Sequence, residues 1–179
     1  MLEIRDCLLV VIDVQGKLAE LMHEKESLFK NISILVKAAD LLEIPVVVTE
    51  QVPASLGPTV EEIAANLGET QPIDKAAFSC FGDDKFREKL ISLRKSQVLI
   101  CGIESHVCVY QTAADAVRSG WEVHVPADAV SSRDPSNKEV ALRRLRTEGV
   151  TVSSVEMALF ELMKTAEHPA FRDVSKLIK

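Results

Sequence analysis

The chain has 179 residues, 47% of them hydrophobic and 27% charged, which suits one domain built around a single sizeable core. Its formal net charge of −6, with no cluster of Lys and Arg, argues against nucleic acid and anionic membrane as partners. No apolar run approaches the roughly 20 residues needed to span a bilayer.

Residues 1–6 put an acid ahead of the first apolar run and show no cleavage pattern, so no signal peptide is expected. Residues 7–12 form a continuous apolar, partly β-branched run, the pattern of a strand buried on both faces, and the run stops at Asp13-Val14-Gln15-Gly16. Residues 28–42 carry apolar side chains three and four apart, which predicts an amphipathic helix with Ser27 as its cap. Residues 44–49 read as a second strand, 50–58 as a loop with two prolines and Gly57, and 60–67 as a short helix stopped by Gly68. A weak third strand is expected over 73–77 and a helix over 83–93. Residues 97–101 predict a fourth strand, closed by Gly102 and followed by a helix that runs to Val117. A fifth strand over 121–125 follows the stop at Ser119-Gly120. Pro135 or Ser136 starts a helix to about Glu148, residues 150–153 give a last short strand, and 154–163 a last long helix. The residues after His168 read as a loosely packed tail.

Strands and helices thus alternate about six times, with no repeat and no linker. The pattern implies one doubly wound α/β domain, a parallel sheet covered by helices on both faces through right-handed crossovers. Ligands of such sheets sit outside the carboxyl ends of the strands, where strand order reverses. That rule selects Asp13 and Gln15, then Glu50 and Gln51, Lys75, Glu104 to Cys108, and Asp128.

Cys108 lies in the first turn or so of the helix after the fourth strand. There the unpaired N–H groups and the helix dipole favour a thiolate, and the turn could receive an oxyanion. A carboxylate near such a thiol can take its proton, and a lysine would hold both anions. Asp13, Lys75 and Cys108 make that set. Each has a plainer reading: Cys108 as core, Asp13 as a turn residue, Lys75 as surface. Cys7 and Cys101 lie inside strands and read as inert core; Cys80 reads as a structural cysteine in a loop, open to exposure. The four cysteines show no C-x-x-C spacing, so reduced thiols and a cytoplasmic location are expected.

Several motifs in order, Asp13-x-Gln15, Lys75-x-x-Phe78-Ser79-x-Phe81, Gly102-Ile103-Glu104-Ser105-His106-Val107-Cys108-Val109, Thr112-Ala113-x-x-Ala116 and Asp128-Ala129, resemble the isochorismatase-like cysteine hydrolase superfamily. The resemblance runs from about residue 5 to 165. It implies a three-layer α/β/α Rossmann-like fold with a six-stranded parallel sheet, an assembly of two or more copies, and an Asp–Lys–Cys triad of Asp13, Lys75 and Cys108. It also implies a cis peptide at Ile103–Glu104 and an oxyanion hole from the N–H groups of Glu104 and Cys108. The slightly positive mean hydropathy hints at the same homo-oligomer interface.

Nicotinamidases of that superfamily bind a metal through an Asp-x-His and a further His after the second strand. Residues 49–57 here contain no histidine, and His23, His106, His124 and His168 show no ligand spacing, so neither a metal nor another cofactor is expected. The loop 50–59 resembles the isochorismatase-domain subgroup instead. His106, two residues before the cysteine, is expected to line the pocket rather than pair with the thiol. Gln51, Pro53, Phe81 and Tyr110 are pocket candidates or packing. The expected activity is hydrolysis of a small-molecule amide through a Cys108 acyl-enzyme. The alternatives are vinyl-ether hydrolysis with Asp13 as general acid and a non-catalytic interaction module. Nucleotide binding lacks its phosphate loop, since Asp13-Val14-Gln15-Gly16-Lys17 fits neither G-x-G-x-x-G nor a P-loop.

Overall fold

The structure is a computed structural model describing residues 1–179. Its strands are β1 (Cys7–Ile12), β2 (Val46–Gln51), β3 (Ile73–Lys75), β4 (Gln97–Ile103), β5 (Glu122–Pro126), β6 (Val130–Ser131) and β7 (Thr151–Ser153). Its helices are α1 (Gly16–Glu20), α2 (Lys25–Leu41), α3 (Pro53–Leu56), α4 (Glu61–Ala64), α5 (Asp84–Leu93), α6 (Tyr110–Arg118), α7 (Pro135–Thr147), α8 (Val155–Met163) and α9 (Phe171–Ile178).

All strand pairings are parallel, in the order β3-β2-β1-β4-β5-β7, with the two-residue β6 paired to the end of β4. β1 and β4 are buried along their whole length. Alternate side chains of β1 go to opposite faces. Leu9 and Val11 pack under α2, α8 and α9, whereas Leu8, Val10 and Ile12 pack with Phe86 of α5, Ala113 of α6 and Leu145 of α7. Burial on both faces is why β1 and β4 read as unbroken apolar runs rather than as alternating ones. The expected doubly wound α/β/α architecture is borne out.

The chain winds from β1 outward through β2 to β3, then returns to the centre with β4 and winds the other way. The reversal point lies between β1 and β4, the position where such sheets bind ligands. Ile12 faces Gly102 across that junction. Gly102 has φ +121°, and a Cβ there would lie 2.1 Å from the Ile12 carbonyl oxygen, so only glycine lets the two strand ends approach this closely. The peptide after it, Ile103–Glu104, is cis, as the resemblance implied.

Several expectations need correction. The tail after His168 is helix α9, whose Val174 is fully buried in the core with Phe171, Leu177 and Ile178 packed beside it at helical spacing. Helix α2 starts at Lys25 behind Glu24, so Ser27 lies inside it and does not cap it. The segment 50–58 is not all loop, because β2 continues to Gln51 and Pro53–Leu56 forms the short helix α3. The helix expected over 60–67 is the single turn α4. Helix α5, by contrast, begins where expected, with Asp83 accepting the Phe86 N–H as its cap.

Candidate active site

Asp13 is the first residue beyond β1. Its N–H still donates to Thr49 O at 3.1 Å, so the β1–β2 ladder fixes it, while φ +52° turns its side chain out of the strand. Lys75 ends β3, two strands away. Its side chain reaches across β2 and places Nζ 2.6 Å from Asp13 Oδ2. The ammonium also donates to Gln51 Oε1 at 2.6 Å and lies 3.1 and 3.3 Å from the carbonyls of Ala77 and Phe78. The side chains are 0% and 3% exposed, so both charges depend on these protein partners in place of water. The other Asp13 oxygen, Oδ1, accepts the Thr49 hydroxyl at 2.8 Å.

Cys108 belongs to a single π-helical turn, Ser105–Val109, that joins β4 to α6. Such turns concentrate at functional sites. The thiol side chain leaves the residue 7% exposed. Burial raises the pKa of the thiol well above its ordinary range; Asp13 raises it further, through its charge and as acceptor of the thiol proton, and Lys75 opposes both. A thiolate stabilised at rest by the helix start is therefore corrected to a neutral thiol. Desolvation outweighs the helix dipole once the sulfur is enclosed. Cys80, read as a structural cysteine in a loop, is fully buried. Its thiol is pushed up to about 11, by burial first, with Lys75 lowering it and Asp13 raising it. Its Sγ lies 3.8 Å from Thr49 Oγ1.

The other predicted residues fall into two flanks. Gln51 and Gln15 brace the lysine side. Gln51 Nε2 donates to Ala76 O at 2.6 Å, and its N–H donates to Gln15 Oε1 at 2.6 Å. Gln15 is fully buried, with Nε2 donating to Gly57 O at 2.6 Å and to Gln51 O at 3.3 Å, so its amide is occupied in fixing the loop after β2. Glu104 and His106 lie on the sulfur side. Glu104 Oε1 accepts the N–H and Nε of Arg133, each at 3.1 Å. Burial pushes this carboxyl up, but the bonds and charge of Arg133 outweigh it and hold it below its ordinary value. His106 Nδ1 meets Ser132 Oγ at 2.9 Å. Phe81 packs edge-on against Phe86 with ring centres 5.5 Å apart. Hydrogen bonds therefore gather Asp13, Lys75, Gln51 and Gln15, and the Asp13 and Lys75 charges act on the Cys108 thiol, whereas Phe81, Glu104 and His106 make their contacts to Phe86, Arg133 and Ser132.

Sequence reading missed Thr49, Thr112 and Arg133. A threonine closing an apolar strand beside the Asp13 strand was the available signal for Thr49. Arg133 had none, since its role depends on the β6–α7 loop returning to Glu104. No group of three or more His, Cys, Asp or Glu side chains is gathered in a way that could hold a metal ion. A hollow of about 740 Å³ between Met1 and α8 is lined by none of these residues.

Residues 7–157 match the family model for the isochorismatase domain. The chain is 41% identical to the secreted isochorismatase effector Isc1 of Phytophthora sojae over 96% of this chain and 83% of that protein. Among solved structures, it is similar to the MAR1 ribonuclease of Caenorhabditis elegans, with 35% identity and a TM-score of 0.93, covering 99% of this chain and 91% of that one. It shares its fold with the YcaC gene product of Escherichia coli, described as an octameric hydrolase of unknown specificity, at 21% identity and a TM-score of 0.88 over 99% and 94% of the two chains.

Proposed function

The chain belongs to the isochorismatase domain family, and on that premise we propose that it is a cysteine hydrolase that cleaves the C–N bond of a small-molecule amide through an acyl-enzyme on Cys108. The observation that carries this reading is the buried ion pair at the sheet's reversal point, Lys75 Nζ 2.6 Å from Asp13 Oδ2; the charge of the same carboxylate raises the pKa of the Cys108 thiol.

A neutral thiol is a poor nucleophile, so attack and proton transfer belong to one step. As the sulfur bonds to the amide carbon, its proton passes to Asp13, and the carbonyl electrons go to oxygen. Backbone N–H groups of Glu104 and Cys108 receive that oxyanion. Asp13 then gives the proton to the departing amine. Water enters and loses a proton to the same carboxylate as its oxygen bonds to the acyl carbon; the carbon–sulfur bond then breaks, the acid leaves, and Asp13 returns the proton to the Cys108 sulfur. Lys75 keeps its charge throughout; it offsets the negative charge that moves between sulfur and carboxylate, and Gln51 holds it in line. No cofactor enters the scheme.

Vinyl-ether hydrolysis, with Asp13 as general acid and no role for the sulfur, is favoured by the name of the 41% identical relative. The ribonuclease named for one structural neighbour would need a phosphate-binding surface, and a net charge of −6 speaks against one. One experiment separates the three: intact-mass spectrometry and product analysis with a panel of small amides, isochorismate and an RNA oligonucleotide, on wild type and Cys108→Ala. Amide turnover with an acyl adduct on Cys108, both lost in Cys108→Ala, supports the proposal. Turnover of isochorismate or RNA that survives Cys108→Ala overturns it. The proposal includes a cytoplasmic location, in keeping with four unpaired thiols. It also includes a homo-oligomer, in keeping with Met157 and Phe160 of α8 being 57% and 40% exposed. No helix is long and apolar enough to cross a membrane.

A further inference from the structure

The Asp13 carboxylate has two oxygens, and an Asp–Lys–Cys triad accounts for a fixed partner on only one of them. Lys75 holds Oδ2, and Oδ1 accepts from Thr49 at 2.8 Å. Thr49 is fully buried and faces Ile12 in the β1–β2 register, so strand pairing itself holds its hydroxyl beside the next residue, Asp13. An ionised carboxylate can only accept, so the Thr49 O–H donates. Behind it, Cys80 Sγ stands 3.8 Å from Thr49 Oγ1 as a weak donor. The Cys80 N–H donates to Thr112 Oγ1 at 3.0 Å, and Thr112 lies one helical turn beyond Cys108. Cys80 is thus tied to the helix that follows the nucleophile and presents its thiol to the back of the Thr49 oxygen. A hydroxyl that accepts from behind has its own proton left for the carboxylate in front.

We propose that Thr49 is a positioning residue for the proton transfer, holding Asp13 in one orientation, with Cys80 setting the direction of the Thr49 hydroxyl. This rests on Asp13 being the base for Cys108. In the step it supports, the S–H bond of Cys108 breaks, the proton bonds to an Asp13 oxygen, and the sulfur electron pair attacks. The Thr49 proton stays on its own oxygen throughout. The charged or titratable groups that act with Asp13 are Lys75, Cys108 and Cys80. Thr49 is the one partner that carries no charge, so removing its hydroxyl changes the balance without adding or deleting a titration.

The test needs no substrate. The rate at which iodoacetamide, a neutral probe, alkylates Cys108 is followed by peptide mass mapping across the acidic and neutral range. The proteins are wild type, Thr49→Val, Thr49→Ser and Asp13→Asn, each checked for folding by thermal melting. In wild type the rate falls on the acid side, and Asp13→Asn abolishes that limb. Thr49→Val moves the limb to higher pH by about one unit, the scale of one hydrogen bond to a charged group, and Thr49→Ser leaves it at the wild-type position. Thr49→Ala replaces the valine variant if the latter does not fold. A limb unmoved by Thr49→Val, or moved equally by Thr49→Ser, overturns the role of Thr49 alone. A limb that survives Asp13→Asn overturns the assignment of the base and this inference with it.

Discussion

The two ends of the sheet each carry a carboxylate paired with an ammonium, and they behave differently. At the end where the strands begin, Glu122 Oε1 accepts from the N-terminal amine of Met1 at 3.2 Å and meets His124 Nε2 at 2.9 Å, while Oε2 accepts Gln97 Nε2 at 2.8 Å. The Met1 and Glu122 side chains there are 75% and 48% exposed. At the end where the strands finish, Lys75 and Asp13 are 0% and 3% exposed. Water shares the first pair and screens it, so it acts as a clasp for the chain's first residues. Nothing but protein groups shares the second, and a charge in that low-dielectric setting acts strongly on its neighbours. Both members of the pair act on the Cys108 thiol, Asp13 raising its pKa and Lys75 lowering it. In the proposed mechanism it is enclosure, not the pairing alone, that lets this carboxylate–ammonium pair serve as acid–base machinery.

The comparison is broken most sharply at Asp13. Asp13→Asn keeps the shape and removes the proton acceptor, and kcat/KM on any amide substrate should fall by about a thousandfold; steady-state kinetics with a circular-dichroism check of folding measures it. Lys75→Met leaves the Asp13 charge buried without its partner and should destabilise the protein by about 3–5 kcal/mol in urea unfolding. The exposed pair should give the smallest effect, with Glu122→Gln costing about 1 kcal/mol or less. Its signature is in pH. Bonds from Gln97 and His124, then from the Met1 amine, hold the Glu122 carboxyl at about 2, below its ordinary 4.5. A folded-state value below the unfolded one stabilises above pH 4.5, and that stabilisation is lost as pH falls toward 2. Thermal melts across that window should fall less steeply for Glu122→Gln than for wild type, and added salt should narrow the difference.

The fold was largely legible in the sequence because its strands are buried on both faces, and burial of that kind leaves uninterrupted apolar runs such as 7–12 and 98–101. The short elements were not. Helix α3 depends on Val52 adopting a left-handed conformation at φ +39°, and α9 carries its helical spacing in only four apolar residues, Phe171, Val174, Leu177 and Ile178. At the site, Asp13, Gln51, Lys75 and Cys108 could be selected because the reversal rule points to strand ends. Two features could not be read. The enclosure of the sulfur, which reverses the expected effect on its ionisation, is a property of packing. The partner Arg133 is supplied by a returning loop that local sequence does not encode, and Thr49 by strand register, for which a threonine closing an apolar run was the one local sign.

The central claim is that Asp13 and Cys108 act as one unit in which the carboxylate takes the thiol proton. The most direct measurement is kcat/KM on one hydrolysed amide for Cys108→Ala, Asp13→Asn and the double variant. Residues acting in one step are strongly non-additive, so the double variant should be no slower than the slower single variant. Losses that multiply in the double variant, or a Cys108→Ala protein that keeps wild-type turnover, would contradict the account.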